Sequence, residues 1–220
     1  DHPDHAKARI AYGSFLKHLD DRKGALSQWQ KALASDPGNA AALNNIATHL
    51  GTVAIQRKVR TKIPEAFGLY QKAIALAPGE ALYRHNYATA LCAFRPEAVR
   101  HYKISAREVT ERALRQLKTG MELAPDNFEI AADRAETLLE VKPLPRQAAL
   151  AAWKEARQRA KEPRQRDWVN LHESIVHLET GDLVSAEKTL DLVSQGSHLQ
   201  LVLKLRDALA RERKKRQAKP

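Results

Sequence analysis

The chain has 220 residues and carries 37 lysines and arginines against 26 aspartates and glutamates, a formal net charge of +11. Its single cysteine, Cys92, excludes an intrachain disulfide and a thiolate metal cluster, and no apolar run approaches the ~18 residues of a membrane span. Aromatic residues make up only 5%, and many stretches are rich in residues that lose little side-chain freedom in a helix. No stretch alternates apolar and polar residues as a half-buried strand does. The predicted fold class is therefore all-α.

A ladder of small and large residues recurs along the chain. Its first copy is Ala25, Trp29, Ala32 and Pro37, at steps of four, three and five residues. Residues four and three apart lie on one face of a helix, where small ones let a neighbouring helix approach and the large one fills the gap. The proline then ends the helix. Two further copies and two degenerate ones follow: Ala66, Tyr70, Ala73, Pro78; Ala113, Leu117, Gly120, Pro125; Ala149, Trp153, Ala156; and Ala186, Leu190, Val193.

Each ladder is preceded by a predicted helix with its own small contact residue. These residues are Gly13, Ala47, Ala88, Ala135 and Ser174. The resulting units resemble the tetratricopeptide repeat (TPR), a helix–turn–helix of about 34 residues, and the chain resembles a family member with about five repeats, two with insertions and two degenerate. The resemblance implies a right-handed superhelical solenoid of antiparallel helix pairs. The array is expected at residues 1–197, with pairs at 6–37, 40–78, 81–125, 128–162 and 165–195.

The second and third repeats are longer than the family unit. Ala66 follows Ala25 by 41 residues, and Ala113 follows Ala66 by 47. The first excess, at residues 51–62, is predicted to extend the first helix of pair two through the basic run at 57–62. The second contains Pro96, which should break a helix, so residues 94–104 are predicted to form a surface excursion. A new helix should begin at Ser105 with a Ser-x-x-Glu capping box.

The C-terminal residues carry two different patterns. Leucines and a valine at helical spacing predict a helix at residues 198–210 that caps the last repeat, and a capped array is expected to be a monomer. Residues 211–220 are predicted to be a basic, frayed tail.

No pattern in the sequence predicts catalysis. His172 and His177 suggest a zinc-protease helix, but they are five residues apart and so lie on different helical faces, where they cannot share one metal ion. No glycine-rich phosphate loop occurs. The sequence therefore predicts no catalytic residue, no metal site and no cofactor, and the protein is not expected to be an enzyme.

The resemblance implies where a ligand would bind, since the first helices of successive pairs line the concave groove in this family. The groove-binding candidates are Lys7, Ser14, Lys17, Asn44, Asn45, Thr48, His85, Thr89, Glu129, Asp133 and Glu136. One family mode clamps a ligand's terminal carboxylate with lysine, asparagine and arginine side chains. The corresponding positions here are Ile10, Ser14, Asn45, Leu82 and Asn86, of which only Asn45 agrees with the clamp.

Positive charge is concentrated in a few segments. Residues 204–220 hold eight basic and two acidic residues. The predicted basic patch consists of Arg57, Lys58, Arg60, Lys62, Arg213, Lys214, Lys215 and Arg216. Such patches can steer an acidic partner, nucleic acid or an anionic membrane, but no aromatic platform or nucleic-acid motif accompanies them. A solubilising surface is favoured, and nucleic acid is disfavoured as a partner.

The leading functional hypothesis is a non-catalytic scaffold that binds a protein or peptide segment in its concave groove. One alternative is an accessory interaction module of a larger enzyme, such as an exported one. The other is a binder of nucleic acid or an anionic surface through the basic patch and tail. The identity of the partner is left open, and both the cytoplasm and the bacterial periplasm fit the composition.

Overall fold

The computed structural model describes residues 3–217 except residues 195 and 197, and every regular element in that part of the chain is an α-helix. The all-α prediction is confirmed. The described helices are α1 (Pro3–His18), α2 (Arg22–Ser35), α3 (Ala40–Arg57), α4 (Ile63–Leu76), α5 (Ala81–Ala93), α6 (Arg95–Tyr102), α7 (Ala106–Leu123), α8 (Phe128–Leu139), α9 (Arg146–Arg159), α10 (Pro163–Glu179), α11 (Leu183–Asp191) and α12 (Leu199–Gln217).

The chain forms two compact units that meet in sequence at Ala124 and Pro125. The first unit contains α1 to α7, in which α1 packs on α2, α3 on α4 and α5 on α7. The second contains α8 to α12, in which α8 packs on α9 and α10 on α11. Helices joined by short connections thus pair with each other, whereas α5 and α7 pair across the intervening α6.

The ladder residues lie at these helix interfaces. Ala25 and Ala32 are fully buried in α2, and the Trp29 side chain between them is 2% exposed. Gly13 of α1 lies so close that a Cβ there would be 2.5 Å from Trp29 Nε1. A small residue at this position is therefore a requirement of the packing between α1 and α2.

Side-chain caps fix where several helices begin. Asn39 accepts a hydrogen bond from Ala42 N at 3.0 Å, and Asn127 accepts one from Ile130 N at 3.0 Å. Ser105 forms the predicted capping box with Glu108: its hydroxyl accepts from Glu108 N at 3.2 Å, and Glu108 Oε2 accepts from Ser105 N at 2.8 Å. These bonds satisfy amides that the first turn of a helix leaves without partners.

The first insertion does not extend its helix as far as predicted. Helix α3 ends at Arg57, and Lys58 adopts a left-handed conformation with φ of 55°. Residues 58–62 are a connection, and α4 begins at Ile63 with Pro64 in its first turn. A proline is tolerated there because the amide it lacks would have had no helical partner. The prediction of a helix through the whole basic run was wrong beyond Arg57.

The second insertion is a helix rather than a surface excursion. Helix α6 runs from Arg95 to Tyr102 and contacts α4, α5 and α7. Phe94 and Ala98, four residues apart, bury one face of it, with exposures of 3% and 0%. Pro96 ends α5 as predicted but stands in the first turn of the next helix, where it causes no break.

The second unit has an apolar core between α10, α11 and α12. Leu171 and Leu190 are buried in it, and Leu205 and Leu209 of α12 are 7% and 4% exposed. The prediction of a frayed tail from residue 211 was wrong, because helix α12 continues to Gln217. Residues 218–220 lie outside the described part of the chain. The two leucines anchor α12, and Arg213 extends the docking by donating to both carboxylate oxygens of Glu187 at 2.9 and 2.5 Å.

Candidate functional site

A pocket of about 300 Å³ lies in the first unit, where α1, α2, α3 and α5 come together. Its lining contains amides, hydroxyls, two cations and an indole. The lining residues are Lys17, Arg22, Ala25, Trp29, Asn44, Asn45, Thr48, His49, Thr52, Leu82 and Asn86.

Three asparagines form a hydrogen-bonded chain along one wall of this pocket. Asn86 Nδ2 of α5 donates to Asn44 Oδ1 of α3 at 3.0 Å, and Asn44 Nδ2 donates to Asn45 Oδ1 at 3.3 Å. Asn44 is 2% exposed, whereas Asn45 and Asn86 are half-buried. Within the described part of the chain, the Asn45 amide nitrogen and the Asn86 carbonyl oxygen bond to no protein group. This row of hydrogen-bonded asparagines therefore ends in one free donor group and one free acceptor.

Thr48 is held in position by two hydrogen bonds. Its hydroxyl donates to the Asn44 carbonyl at 3.0 Å and lies 3.1 Å from the Tyr70 hydroxyl. Since the single proton of Thr48 goes to the carbonyl, Tyr70 donates to Thr48. Burial raises the pKa of Tyr70 to about 12, so Tyr70 keeps its proton at neutral pH and can donate it to Thr48.

The electrostatic character of the pocket is positive. Lys17 and Arg22 line it, and its described lining contains no carboxylate. His49 sits edge-on to Trp29, with ring centroids 6.4 Å apart. Burial lowers the pKa of His49, and the positive charges of Arg22 and Arg57 lower it further. His49 therefore contributes a neutral imidazole at neutral pH, and the two fixed cations set the charge.

Comparison with solved structures identifies the fold. The protein YrrB, described as a TPR protein with an unusual peptide-binding site, is similar with a TM-score of 0.64 and 18% identity, over 90% of each chain. TTC0263, a TPR protein of Thermus thermophilus, is similar with a TM-score of 0.60 and 19% identity, over 93% of this chain and 99% of that one. The fold is that of the tetratricopeptide repeat. The resemblance predicted from the ladder is confirmed at the level of the fold.

Other similar structures place this TPR fold in different contexts. PilF of Pseudomonas aeruginosa matches with a TM-score of 0.65 and 21% identity, over 95% of this chain and 89% of that one. An O-GlcNAc transferase of Thermobaculum terrenum matches with a TM-score of 0.57 and 20% identity, over 71% of this chain but 26% of the transferase. No protein-family model matches the sequence, and a search of curated protein sequences finds no match.

Four of the predicted groove residues lie together in the pocket: Lys17, Asn44, Asn45 and Thr48. Lys7 and Ser14 lie elsewhere on α1, and His85 and Thr89 lie on α5 outside the pocket lining. The pocket lining also contains residues that were not predicted to bind a ligand: Arg22, Ala25, Trp29, His49, Thr52, Leu82 and Asn86. A signal for two of them was available, because the family resemblance had already placed Leu82 and Asn86 at positions of the carboxylate clamp.

The predicted acidic candidates lie in the second unit of the TPR array. Glu136 accepts a hydrogen bond from Trp168 Nε1 at 2.7 Å. Burial raises the pKa of Glu136, a trend that the bond from Trp168 opposes and the charge of Asp133 reinforces. Glu129 is exposed and Asp133 half-buried on the same helix. Glu136 thus serves a contact between α8 and α10 rather than standing free on the surface.

The predicted basic patch falls into two groups, one in each unit. In the first, Arg60 Nη1 lies 3.5 Å from Glu97 Oε1, and Lys62 Nζ lies 3.0 Å from Glu65 Oε2. In the second, Lys215 pairs with Glu212 at 2.6 Å and Arg216 donates to the Gly181 carbonyl at 2.6 Å. Several of these cations are therefore already engaged by groups of the protein itself.

Among the residues that the structure describes, no group of three or more His, Cys, Asp or Glu side chains could hold a metal ion. His172 is buried against aromatic rings and His177 lies 3.5 Å from Asp182, so the two histidines have separate roles. Within the described part of the chain, no helix combines the length and apolar character that crossing a membrane requires.

Proposed function

We propose that the protein is a non-catalytic scaffold that binds an extended peptide segment of a partner protein in the pocket of the first unit. The observation that carries the proposal is the asparagine chain. A peptide group offers one N–H donor and one carbonyl acceptor. The free Asn45 amide nitrogen and the free Asn86 carbonyl oxygen, both lining the pocket, offer the complementary pair.

The asparagines are organised before any ligand arrives. Asn44 holds both neighbours by hydrogen bonds and is itself buried, so little side-chain freedom remains to be lost on binding. The hydrogen bond between Tyr70 and Thr48 stabilises the same wall of the pocket. A preformed donor and acceptor on two different helices suits an extended main chain, which presents its groups at regular intervals.

The lining also indicates which side chains the peptide carries. Lys17 and Arg22 favour a carboxylate on the peptide, since the described lining contains no acidic residue. Arg22 Nε already pairs with Asp20 Oδ1 at 2.8 Å, but Arg22 Nη1 bonds to no group in the described part of the chain. Leu82 is 54% exposed at the same pocket and favours an apolar side chain next to that carboxylate. The expected ligand is an extended segment with an acidic and an aliphatic residue close together. That the similar protein YrrB is described as having a peptide-binding site supports this proposal.

A peptide array tests whether the pocket of the first unit binds such a segment. Extended peptides that vary the acidic and aliphatic positions are offered to the whole protein and to the variant Asn45→Ala. Loss of the amide donor should weaken the retained peptides by about tenfold, the worth of one well-placed hydrogen bond of about 1.4 kcal/mol. Gln30→Ala, which removes an amide from an exposed position on α2 outside the pocket lining, is the matched control. Peptides held equally by Asn45→Ala, or no retained peptide at all, would refute the proposal.

A second candidate function is favoured by one comparison. The matched region of the O-GlcNAc transferase is 26% of that chain, so a similar helical array occurs there as part of a longer enzyme. We propose on this ground that the array can act as the partner-binding module of a longer protein. The coding sequence on either side tests this: a catalytic domain in the same reading frame supports it, and stop codons at both ends overturn it.

A further inference from the structure

The two insertions that lengthen the second and third repeats pack against each other. Arg60, in the connection between α3 and α4, reaches Glu97 of α6, and its guanidinium lies 5.8 Å from the centroid of the Phe94 ring. Phe94 also contacts α3, since a Cβ on Gly51 would lie 3.4 Å from its ring. Segments more than thirty residues apart in sequence thus form one surface, which we call the insertion surface (residues 57–62 and 94–104).

A buried carboxylate organises the cations of this surface. Glu97 is 7% exposed, and its Oε1 lies 3.5 Å from Arg60 Nη1 and 3.1 Å from Arg100 Nη2. Both guanidinium groups therefore share one oxygen. Their side chains remain 51% and 69% exposed, so both are accessible to a partner. One carboxylate cannot neutralise two guanidinium groups, and the pair retains a positive charge.

The surroundings of this pair strengthen the positive field. A pocket of about 420 Å³ is lined by Arg60, Thr61, Pro64, Glu97, Arg100 and His101. Residues 57–62 contain four lysines and arginines and no acidic residue, and residues 94–104 contain three against one glutamate. Four plus three minus one gives a net charge of +6 on the insertion surface, before the nearby Glu65 that pairs with Lys62 is counted.

We propose that the insertion surface is a second binding site, specific for an acidic segment of a protein partner, whose carboxylates pair with Arg60 and Arg100. The planar guanidinium fork matches a carboxylate in two parallel hydrogen bonds, and Glu97 fixes the positions of both forks in advance. This site is separate from the asparagine-lined pocket, and its ligand is recognised by charge rather than by main-chain groups.

An acidic protein segment fits this surface better than a nucleic acid does. Single strands are held largely by stacking of bases on exposed aromatic faces. The two benzene-type rings here are already covered: Phe94 is 3% exposed, and Tyr102 lies under Arg112, whose guanidinium carbon is 4.1 Å from the ring centroid. Besides the imidazole of His101 and the side chain of Val59, the accessible groups are cations and the hydroxyl of Thr61, which suit carboxylates.

Titration of the whole protein with a fluorescein-labelled oligoglutamate peptide tests the proposal. Arg60→Gln and Arg100→Gln should each weaken binding by about tenfold, because each removes a charge-assisted hydrogen bond to the peptide. Arg115→Gln removes an equal charge from an exposed position on α7 and should change the affinity less than twofold. Arg60→Lys keeps the charge without the fork and should fall in between. The affinity for oligoglutamate should fall steeply as the salt concentration rises.

The outcomes separate this site from the pocket. Neither Arg60 nor Arg100 lines the asparagine pocket, so a loss of oligoglutamate binding in their variants reports on the insertion surface, and either site can fail while the other stands. Equal affinity of the parent, Arg60→Gln and Arg100→Gln would overturn the proposal. Tighter binding of a DNA duplex than of oligoglutamate, lost in the same two variants, would overturn it in favour of nucleic acid.

Discussion

The imidazole of His172 stacks on the indole of Trp153, with ring centroids 4.7 Å apart and an angle of 27° between the planes. Trp168 approaches the same imidazole, at 4.3 Å between centroids. His172 Nδ1 lies 2.9 Å from the Trp168 carbonyl oxygen, and His172 as a whole is 7% exposed. The ring is thus enclosed by two aromatic side chains, and its burial away from water disfavours the charged form.

This enclosure predicts a stability that depends on pH. Burial lowers the pKa of His172 below its ordinary value of 6.5; the Trp168 carbonyl opposes that trend and the charge of His198 adds to it. Below pH 6.5 the unfolded chain therefore binds a proton that the folded chain resists, and the free energy of unfolding falls as the pH drops towards the folded pKa. Above that window the contribution is fully present.

Denaturant unfolding at pH 7 and pH 5 measures this effect. The variant His172→Gln cannot take up the proton but keeps an amide donor for the Trp168 carbonyl, so its unfolding free energy should fall less between the two values. His49, whose pKa is also lowered by burial, is unchanged in both proteins and cancels in the comparison. An identical fall in the parent and the variant would show that His172 does not resist protonation.

The contact between Gly13 and Trp29 predicts a cost for a single methyl group. In Gly13→Ala the new Cβ would lie 2.5 Å from Trp29 Nε1 and 3.1 Å from the Ala25 carbonyl oxygen, so α1 and α2 must move apart. We expect a loss of about 1–3 kcal/mol of unfolding free energy from overpacking. The matched control is Gly68→Ala in α4, where no atom lies within 4 Å of the added Cβ.

In the control, alanine should stabilise the protein by up to about 1 kcal/mol, because it replaces glycine inside a helix without a clash. Urea unfolding of both variants gives the comparison. Two changes of the same sign would mean that the close approach of α1 and α2 is not a constraint.

The capping box at Ser105 predicts a local loss of stability. Ser105→Ala removes the hydroxyl that accepts from Glu108 N, and such N-caps are worth about 1 kcal/mol. The backbone and hydroxyl of Ser105 lower the pKa of Glu108, so loss of the hydroxyl should move that pKa upward. Ser105→Thr keeps the hydroxyl and should preserve both properties. A Glu108 titration that is the same in parent and Ser105→Ala would contradict the capping box.

The docking of α12 predicts a contrast between two leucines on one helix. Leu209 is 4% exposed in the core of the second unit, whereas Leu203 is 49% exposed. Leu209→Ala should cost about 2–5 kcal/mol through the lost burial and the cavity left behind. Leu203→Ala should stay within about 0.5 kcal/mol. Equal small effects in chemical unfolding would indicate that α12 does not pack on α10 and α11.

The repeat fold was predictable because its signal is local. The spacing of Ala25, Trp29 and Ala32 places them on one helical face, and that face is the buried one. The capping box at Ser105 was likewise readable from residues three apart. Helix α6 could not be predicted from the sequence. Pro96 indicates the end of one helix but not that it also stands in the first turn of another.

The candidate pocket was predictable only along single helices. Asn44, Asn45 and Thr48 follow from the face of α3 that a first helix presents. Asn86 and Trp29 join them through packing between α3 and α5 and between α2 and α3, and no short-range pattern specifies those contacts. The pairing of Arg60 with Glu97 could not be predicted either, because the two residues are 37 apart and meet only through packing.

The packed insertions change what counts as the smallest transferable module of this protein. In an ideal solenoid each repeat contacts only its neighbours through a standard interface, so single repeats can be deleted, duplicated or exchanged. Here Glu97 and Phe94 of one repeat hold Arg60 and adjoin Gly51 of the preceding one. Recombination or engineering that separates them would expose Phe94 and leave a buried carboxylate with one partner fewer. The second and third repeats should therefore be inherited, and grafted, as a single cassette.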